Sequence, residues 1–205
     1  ARLLFGADRP DHGVIRLDGK PLKIKSPRDA IRQGICLLTE DRKTHGLVLG
    51  QTARENFGLP NLSQFAPLGF IRQREESLCF ARYVDQIQIK ITNPEQITGT
   101  LSGGNQQKIV LAKWLQRNAE VIIFDEPTRG IDVGAKYEIY QLINQLAADG
   151  KAILMISSEL PEVLGMSDRI LVMNEGRITG EITDVPNTTQ EDIMKLAISR
   201  QPLAA

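Results

Sequence analysis

The sequence predicts an α/β fold with a mostly parallel sheet and a helical insertion. Three observations predict it: continuous apolar runs of strand length at 35–39 and 121–125, helical periods between the later strands, and a stretch at 52–99 where short helices and loops replace strand patterning. Apolar runs that do not alternate are what strands covered on both faces require. Strands separated by helices imply right-handed crossovers and parallel pairing. The 205 residues are 41% hydrophobic and 24% charged, enough apolar material for a core, which excludes a disordered chain or a disulfide-stapled scaffold.

Residues 1–6 read as the last turns of a helix stopped at Gly6, with nothing before them to start or cap it. The chain therefore reads as beginning inside an element of a longer protein. Runs at 14–17 and 22–24 flank Asp18-Gly19, a dipeptide that tolerates positive φ, and predict a hairpin. Ser26-Pro27 caps a short helix that Gly34 ends, and the strand at 35–39 follows. In the insertion the clearest helix is 71–87, with Leu78, Ala81, Tyr83 and Val84 at helical intervals. Then come a helix from Ser102 to about Arg117, a strand at 121–125, a helix at 134–148 and a strand at 152–157. A short helix near Pro161 leads to a second hairpin, 169–173 and 177–183, around Asn174-Glu175-Gly176. Thr188 or Thr189 caps a final helix to Ser199.

With 25 Lys+Arg against 25 Asp+Glu the formal charge is zero, so the cationic field of a nucleic-acid binder is missing and nucleic acid is not predicted as a ligand. Apolar runs of this length do not span a bilayer, and no signal-peptide pattern opens the chain. Cys36 lies in an apolar run and Cys79 in a helical pattern, with no metal-ligand spacing, which predicts two reduced core thiols. His12 and His45 are expected at the surface.

The strand at 121–125 ends in Asp125-Glu126, two carboxylates at the carboxyl edge where open α/β sheets bind ligands. Asp125 suits a magnesium ligand and Glu126 the base or positioning group for an attacking water. Taken alone, the pair is equally a strand end running into the turn at Pro127-Thr128. Upstream, Leu-Ser-Gly-Gly-Asn-Gln-Gln-Lys at 101–108 opens a helix with two glycines that expose backbone N–H groups where the helix dipole is positive, an anion site suited to phosphate. Taken alone, Ser102 is an ordinary N-cap and Gln107 and Lys108 a solvated face.

Side by side, these strings resemble the nucleotide-binding domain of ATP-binding cassette (ABC) transporters, over almost the whole chain. Residues 101–106 resemble the family's signature loop, 121–126 its Walker B strand and 129–132, Arg-Gly-Ile-Asp, its D-loop. The strings at 125–136 and 157–159 are most similar to the second cassette of double-cassette ATPases in bacterial sugar importers of the ribose, xylose and arabinose type. The resemblance implies a P-loop NTPase fold, incomplete at its amino-terminal end. It divides the chain into an incomplete ATPase core at 1–50, a helical subdomain at 51–100, the signature, Walker B, D-loop and switch region at 101–185, and a C-terminal helix and tail at 186–205. It also implies ATP and Mg2+ as cofactors. The implied partners are a second cassette, an integral membrane permease and, indirectly, a periplasmic sugar-binding protein, with a peripheral location on the cytoplasmic face of the inner membrane. Ser102, Gly103, Gly104, Gln106 and Asp132 would bind nucleotide, the signature residues serving the partner cassette's ATP. Asp125, Glu126, Glu40 and Ser158 would serve the chain's own site, with Asp125 and Glu40 facing the metal.

Three departures from the family pattern shape this expectation. A P-loop needs Gly, four residues, Gly-Lys and Ser or Thr, and neither Gly19-Lys20 nor Gly150-Lys151 fits, so the loop is expected upstream of residue 1 and this polypeptide is expected to bind ATP poorly. Ser158 stands where the family places a histidine and cannot carry its charge. Glu40 replaces the usual glutamine, adding a negative charge unless Arg42 or Lys43 offsets it. The expectation is an intact signature serving the better hydrolytic site on the partner, and a slower or regulatory site on this half.

In the insertion, Leu59, Phe65, Leu68 and Phe70 divide between a permease-docking patch and the subdomain's own core. Two rival readings remain: a non-hydrolytic dimerisation cassette that completes its partner's site, and an ABC-type ATPase of DNA repair or translation, which would show long heptad arms or basic segments not present in this sequence.

Overall fold

The computed structural model describes residues 1–117 and 119–199. They form two compact units, divided between Leu154 and Met155.

The first unit is organised on β3 (Ile35–Leu38) and β4 (Val121–Asp125), which pair in parallel from Ile35↔Val121 to Leu38↔Phe124. All four residues of β3 are buried, as are Ile122, Ile123 and Phe124, which is why neither run alternates. β4 lies between β3 and β5 (Ala152–Ile156) in the sheet order. Against β3 pack α1 (Arg2–Phe5), α2 (Pro27–Arg32) and α6 (Gly103–Leu115). Gly6 ends α1 at φ 75, and a Cβ there would come within 2.6 Å of Ile24, so glycine is required twice over. Phe5 meets Trp114 of α6 edge to face at 6.1 Å.

In the first hairpin, β1 (Ile15–Leu17) and β2 (Lys20–Leu22) are joined by Asp18 at φ 50 and Gly19 at φ 75. Two successive positive φ values make the turn only two residues long, so Lys20 pairs with Leu17 and β2 starts before the expected 22–24.

The insertion contains α3 (Ala53–Gly58), α4 (Leu62–Phe65) and α5 (Gln73–Gln86). Thr52 and Glu55 close a reciprocal capping box on α3. Phe57 is the centre, with ring centroids 5.9 Å from Phe65, 5.2 Å from Phe80 and 5.5 Å from Tyr83. The phase expected for α5 is corrected: its core face is Glu76, Cys79 and Phe80, while Leu78 is 63% exposed and Ala81 is exposed. A buried Glu76 paired with Arg54 occupies the place an apolar count gave to Leu78. Phe65 is core, whereas Leu68 and Phe70 are 84% and 85% exposed.

α7 (Val133–Ala148) buries Ile139, Ile143 and Leu146, spaced three and four apart on one face. Cys36 and Cys79 are free and buried, and His12 and His45 are exposed.

The second unit holds α8 (Leu160–Met166), the antiparallel pair β6 (Ile170–Asn174) and β7 (Arg177–Ile182), and α9 (Gln190–Ala197). Glu175 at φ 47 and Gly176 at φ 77 turn the hairpin. Ile170, Val172, Val185 and Ile193 form its core, and Gly180 admits Leu196 of α9, which a Cβ would meet at 2.5 Å. Thr189, with Asp192, caps α9. Residues 200–205 of the expected tail lie outside the described residues. Among the described residues no helix is long and apolar enough to cross a membrane.

Candidate functional site

β4 carries Asp125 and Glu126 out of the buried sheet to its carboxyl edge, one residue beyond the Leu38↔Phe124 pair. Asp125 is half-buried. Burial raises its carboxyl above the usual range, and the neighbouring Glu126 charge adds to this. Glu126 sits at φ 49, a left-handed conformation rare outside glycine. Its carbonyl accepts the Arg129 N–H at 3.2 Å, Thr128 accepts Ile131 N–H at 3.2 Å, and Gly130 takes φ 67, so the chain reverses within a few residues. Asp132 then caps α7 by accepting the Ala135 N–H at 3.0 Å.

The neighbouring strand β3 delivers Glu40 to the same edge. Its carboxylate forms an ion pair with Arg129, a cation that the sequence reading did not name beside Arg42 and Lys43 as a possible offset. Arg42 instead donates to the Arg129 carbonyl at 3.4 Å, and its Nε is buried without a partner. Asp41 caps the π-turn Arg42–Gly46, accepting from Lys43 and Thr44 N–H at 3.1 and 3.2 Å. The Thr44 hydroxyl, donating at 2.6 Å, is the main cause of the lowered Asp41 carboxyl.

Ser102 is exposed and caps α6. Its Oγ accepts from the Asn105 side-chain Nδ2 at 2.9 Å, and more weakly from the Asn105 N–H at 3.5 Å, so the hydroxyl proton can be donated outward. Asn105 Oδ1 in turn accepts the Lys90 N–H at 2.7 Å. Gly104 lies so close to α7 that a Cβ would stand 2.9 Å from that of Ala135. Around these groups is a cleft of about 190 Å3, lined among others by Lys90, Ser102, Asn105, Asp132 and Glu138. Glu40, Asp125 and Glu126 do not line it.

Gln106 departs from the expected nucleotide contact. It is buried, and its Nε2 donates to the Thr98 and Leu101 carbonyls at 3.2 Å each, which fixes the entry to the helix. Gln107 and Lys108 are buried as well, so they form no solvated face. Lys108 donates to Glu138 at 2.7 Å and to the Gln88 carbonyl at 2.9 Å, and it is the main cause of the lowered Glu138 carboxyl.

Ser158 is exposed in the bend after β5 and belongs to the second unit. Beside it Ser157 donates to buried Glu162 and accepts the Glu159 N–H at 3.0 Å, opening α8.

Among the described residues no three His, Cys, Asp or Glu side chains gather as a metal cage. The donor set fits a magnesium ion that takes one carboxylate, from Asp125, and its remaining oxygens from phosphate and water. Glu40 is a poorer ligand than expected because a guanidinium already holds it. Sequence reasoning placed Asn105 in the tip string without a role, and missed Lys90 and Glu138 beside the tip and Arg129 as the partner of Glu40. Arg129 was within a flagged string, but a pairing across 89 residues leaves no local signal.

A protein-family model described as ABC transporter matches residues 1–129. The chain is 56% identical over 197 residues to the putative ribose/galactose/methyl galactoside import ATP-binding protein 1 of Rhizobium etli, covering 96% of this chain and 37% of that protein. It is 53% identical over 196 residues to the ribose import ATP-binding protein RbsA of Bacillus subtilis, covering 96% and 40%. The chain thus spans about two-fifths of the length of the curated relatives it matches. Among solved structures it is similar to the ATP-binding cassette MJ1267, with a TM-score of 0.80 over 97% of this chain and 81% of that one. It is also similar to the dimeric, post-hydrolysis cassette MJ0796 bound to ADP and Pi, with a TM-score of 0.73 over 88% and 77%. Both are 21% identical, so these likenesses establish the fold alone.

Proposed function

The chain belongs to the ABC transporter family, and from that premise we propose that it is the ATP-binding and hydrolysing cassette, in C-terminal position, of an importer that drives carbohydrate uptake. The observation that carries the reading is the separation of two phosphate-competent features on one chain. The capped, glycine-opened tip of α6 lines one cleft, and the Asp125-Glu126 edge lies outside it. A chain built this way completes an ATP site only by facing a second cassette, as tight closure around nucleotide requires.

In this reading Ser102 donates its hydroxyl, and the N–H groups of Gly103 and Gly104 point to the terminal phosphate held by the facing cassette. Gln106 holds that turn in shape from inside, and Asp132 fixes the first turn of α7 beside it. Asp125 holds Mg2+ at the chain's own site, and the ion neutralises phosphate charge when bound. Glu126 positions and deprotonates the attacking water. The phosphate cradle of that site comes from a P-loop that these 205 residues do not contain. Sugar as cargo rests on the names of the relatives, all of them import ATP-binding proteins for ribose or ribose and galactose. The partners are an integral membrane permease and, through it, a periplasmic sugar-binding protein, with the cassette peripheral on the cytoplasmic face of the inner membrane.

Ser158 and Glu40 make the chain's own site the slower one, whereas its signature serves the faster site opposite. In the assembled importer, Ser102→Arg should remove about nine-tenths or more of ATP hydrolysis, since loss of one oxyanion-type donor costs on the order of a hundredfold at its site. Glu126→Gln should cost no more than about half. Phosphate release at saturating ATP measures both, and equal losses would reject the asymmetry.

A further inference from the structure

Three segments of the first unit converge on one side chain. Arg42, two residues past Glu40, lays its guanidinium against the first turn of α6: a Cβ on Gly103 would lie 2.5 Å from its Nη2 and 3.6 Å from the Gly130 carbonyl. Its Nη1 donates to the Arg129 carbonyl at 3.4 Å, and its Nε is buried without a partner. The same Arg129 grips Glu40 with its own guanidinium. Gly103 lies in ordinary helical backbone, so no left-handed φ demands glycine there. The Arg42 head occupies the space that a side chain at 103 would need, so a larger residue there must displace the guanidinium.

We propose that Arg42 is a positioning residue that braces the signature turn against the Arg129–Gly130 reversal, so that the Glu40 edge and the α6 tip move as one body. The proposal rests on the nucleotide reading above, because it gives a consequence to the brace: the loop at one ATP site is mechanically tied to the phosphate-binding tip of the other. A half-buried guanidinium suits this task. It is planar, permanently charged, and reaches two backbone elements from one side chain. Leaving Nε without a partner has a desolvation cost, which is consistent with a side chain kept for position rather than for its own stabilisation.

The test is a double-mutant cycle in the assembled importer, with hydrogen exchange on the 205-residue chain as an independent arm. Gly103→Ala should push the guanidinium aside and lower kcat for ATP about tenfold, the scale of a small displacement at a reacting centre, with KM within about twofold. Arg42→Ala alone should lower kcat by a similar factor. The double variant should be no worse than either single one, because each removes the same brace. Multiplicative losses in the double variant would overturn the proposal. Arg42→Lys should not rescue, since an ammonium cannot span both partners. In the isolated chain Arg42→Ala should speed exchange of the 106–108 amides, the first with helical acceptors in α6, about tenfold while leaving those of α9 unchanged. Unchanged exchange at 106–108 overturns the brace whatever the kinetics show, whereas an assembled wild type that hydrolyses no ATP overturns the nucleotide reading and leaves the brace to the exchange result.

Discussion

Lys113 is the residue whose chemistry sits worst with its surroundings. It is buried on α6, donates to the Gly46 carbonyl, and lies 5.5 Å from the centre of the Trp114 ring. Burial lowers its ammonium from 10.5 to about 8. An unfolded chain therefore keeps the proton across pH 8 to 10.5 while the folded chain has released it. The unfolded state binds more protons in that window, so stability rises with pH through it, by about 1 kcal/mol per unit. Below pH 8 both states are protonated and the full cost of the buried charge remains. Lys113→Met removes this dependence along with the bond to Gly46. The stability of the variant relative to the wild type should be most favourable below pH 8 and decline toward pH 10, which urea unfolding at pH 7, 8.5 and 10 measures. A difference that stays constant across those values would mean that the amine titrates normally. Nothing in the string around Lys113 announces this: the residue reads as one more polar position on a helix until Gly46, 67 residues away, is placed over it.

At the scale of elements, α3 and α5 are held together by an ion network inside the helical subdomain. Arg54 of α3 pairs with buried Glu76 of α5 and reaches Glu95 at 2.6 Å. Glu76 also fills the space beside Gly58 at the end of α3, where a Cβ would overlap its carboxylate. Gly→Ala in a helix ordinarily gains up to about 1 kcal/mol, but here the overlapped group cannot retreat without breaking a buried pair, which costs about 3 kcal/mol. The clash wins: Gly58→Ala should destabilise by about 2 kcal/mol and lower Tm by roughly 4–8 °C. Gly165→Ala in α8, where a Cβ meets nothing within 4 Å, should have the opposite sign. Calorimetry on the two variants checks the pair, and equal signs would contradict this packing. The same region shows how far elements were legible. Caps and turns were readable because their chemistry is local: Ser26, Ser102, Asp18-Gly19 and Gly176 all stand where their backbone preferences put them. The phase of α5 was not, because an apolar count gives no weight to a glutamate whose burial depends on an arginine 22 residues away.

For the whole molecule, the two strings that carry the proposed site were legible because a backbone that must approach phosphate restricts sequence sharply. The Glu40–Arg129–Arg42 linkage between them was not, since its members are brought together only by the parallel pairing of β3 with β4. What the chain offers ATP by itself follows from the same geometry. Asp125 and Glu126 are carboxylates, which repel phosphate without a metal, and the Ser102 tip belongs to a separate cleft. No Gly-x4-Gly-Lys string supplies the lysine and backbone donors that hold the β- and γ-phosphates. A cassette with Kd near 10 μM would gain about 2.7 kcal/mol from 1 mM ligand, worth roughly 5–10 °C in Tm for a chain of this size. The isolated 205-residue chain should instead shift by less than about 1 °C in 1 mM MgATP. A Ser102→Arg variant should respond no differently, because one helix tip without a facing cassette holds too little of the nucleotide to register. Thermal melting with and without MgATP decides it. A shift of several degrees that Ser102→Arg abolishes would place the whole triphosphate on the α6 tip of a single chain, and the division of the site between two facing cassettes would have to be abandoned.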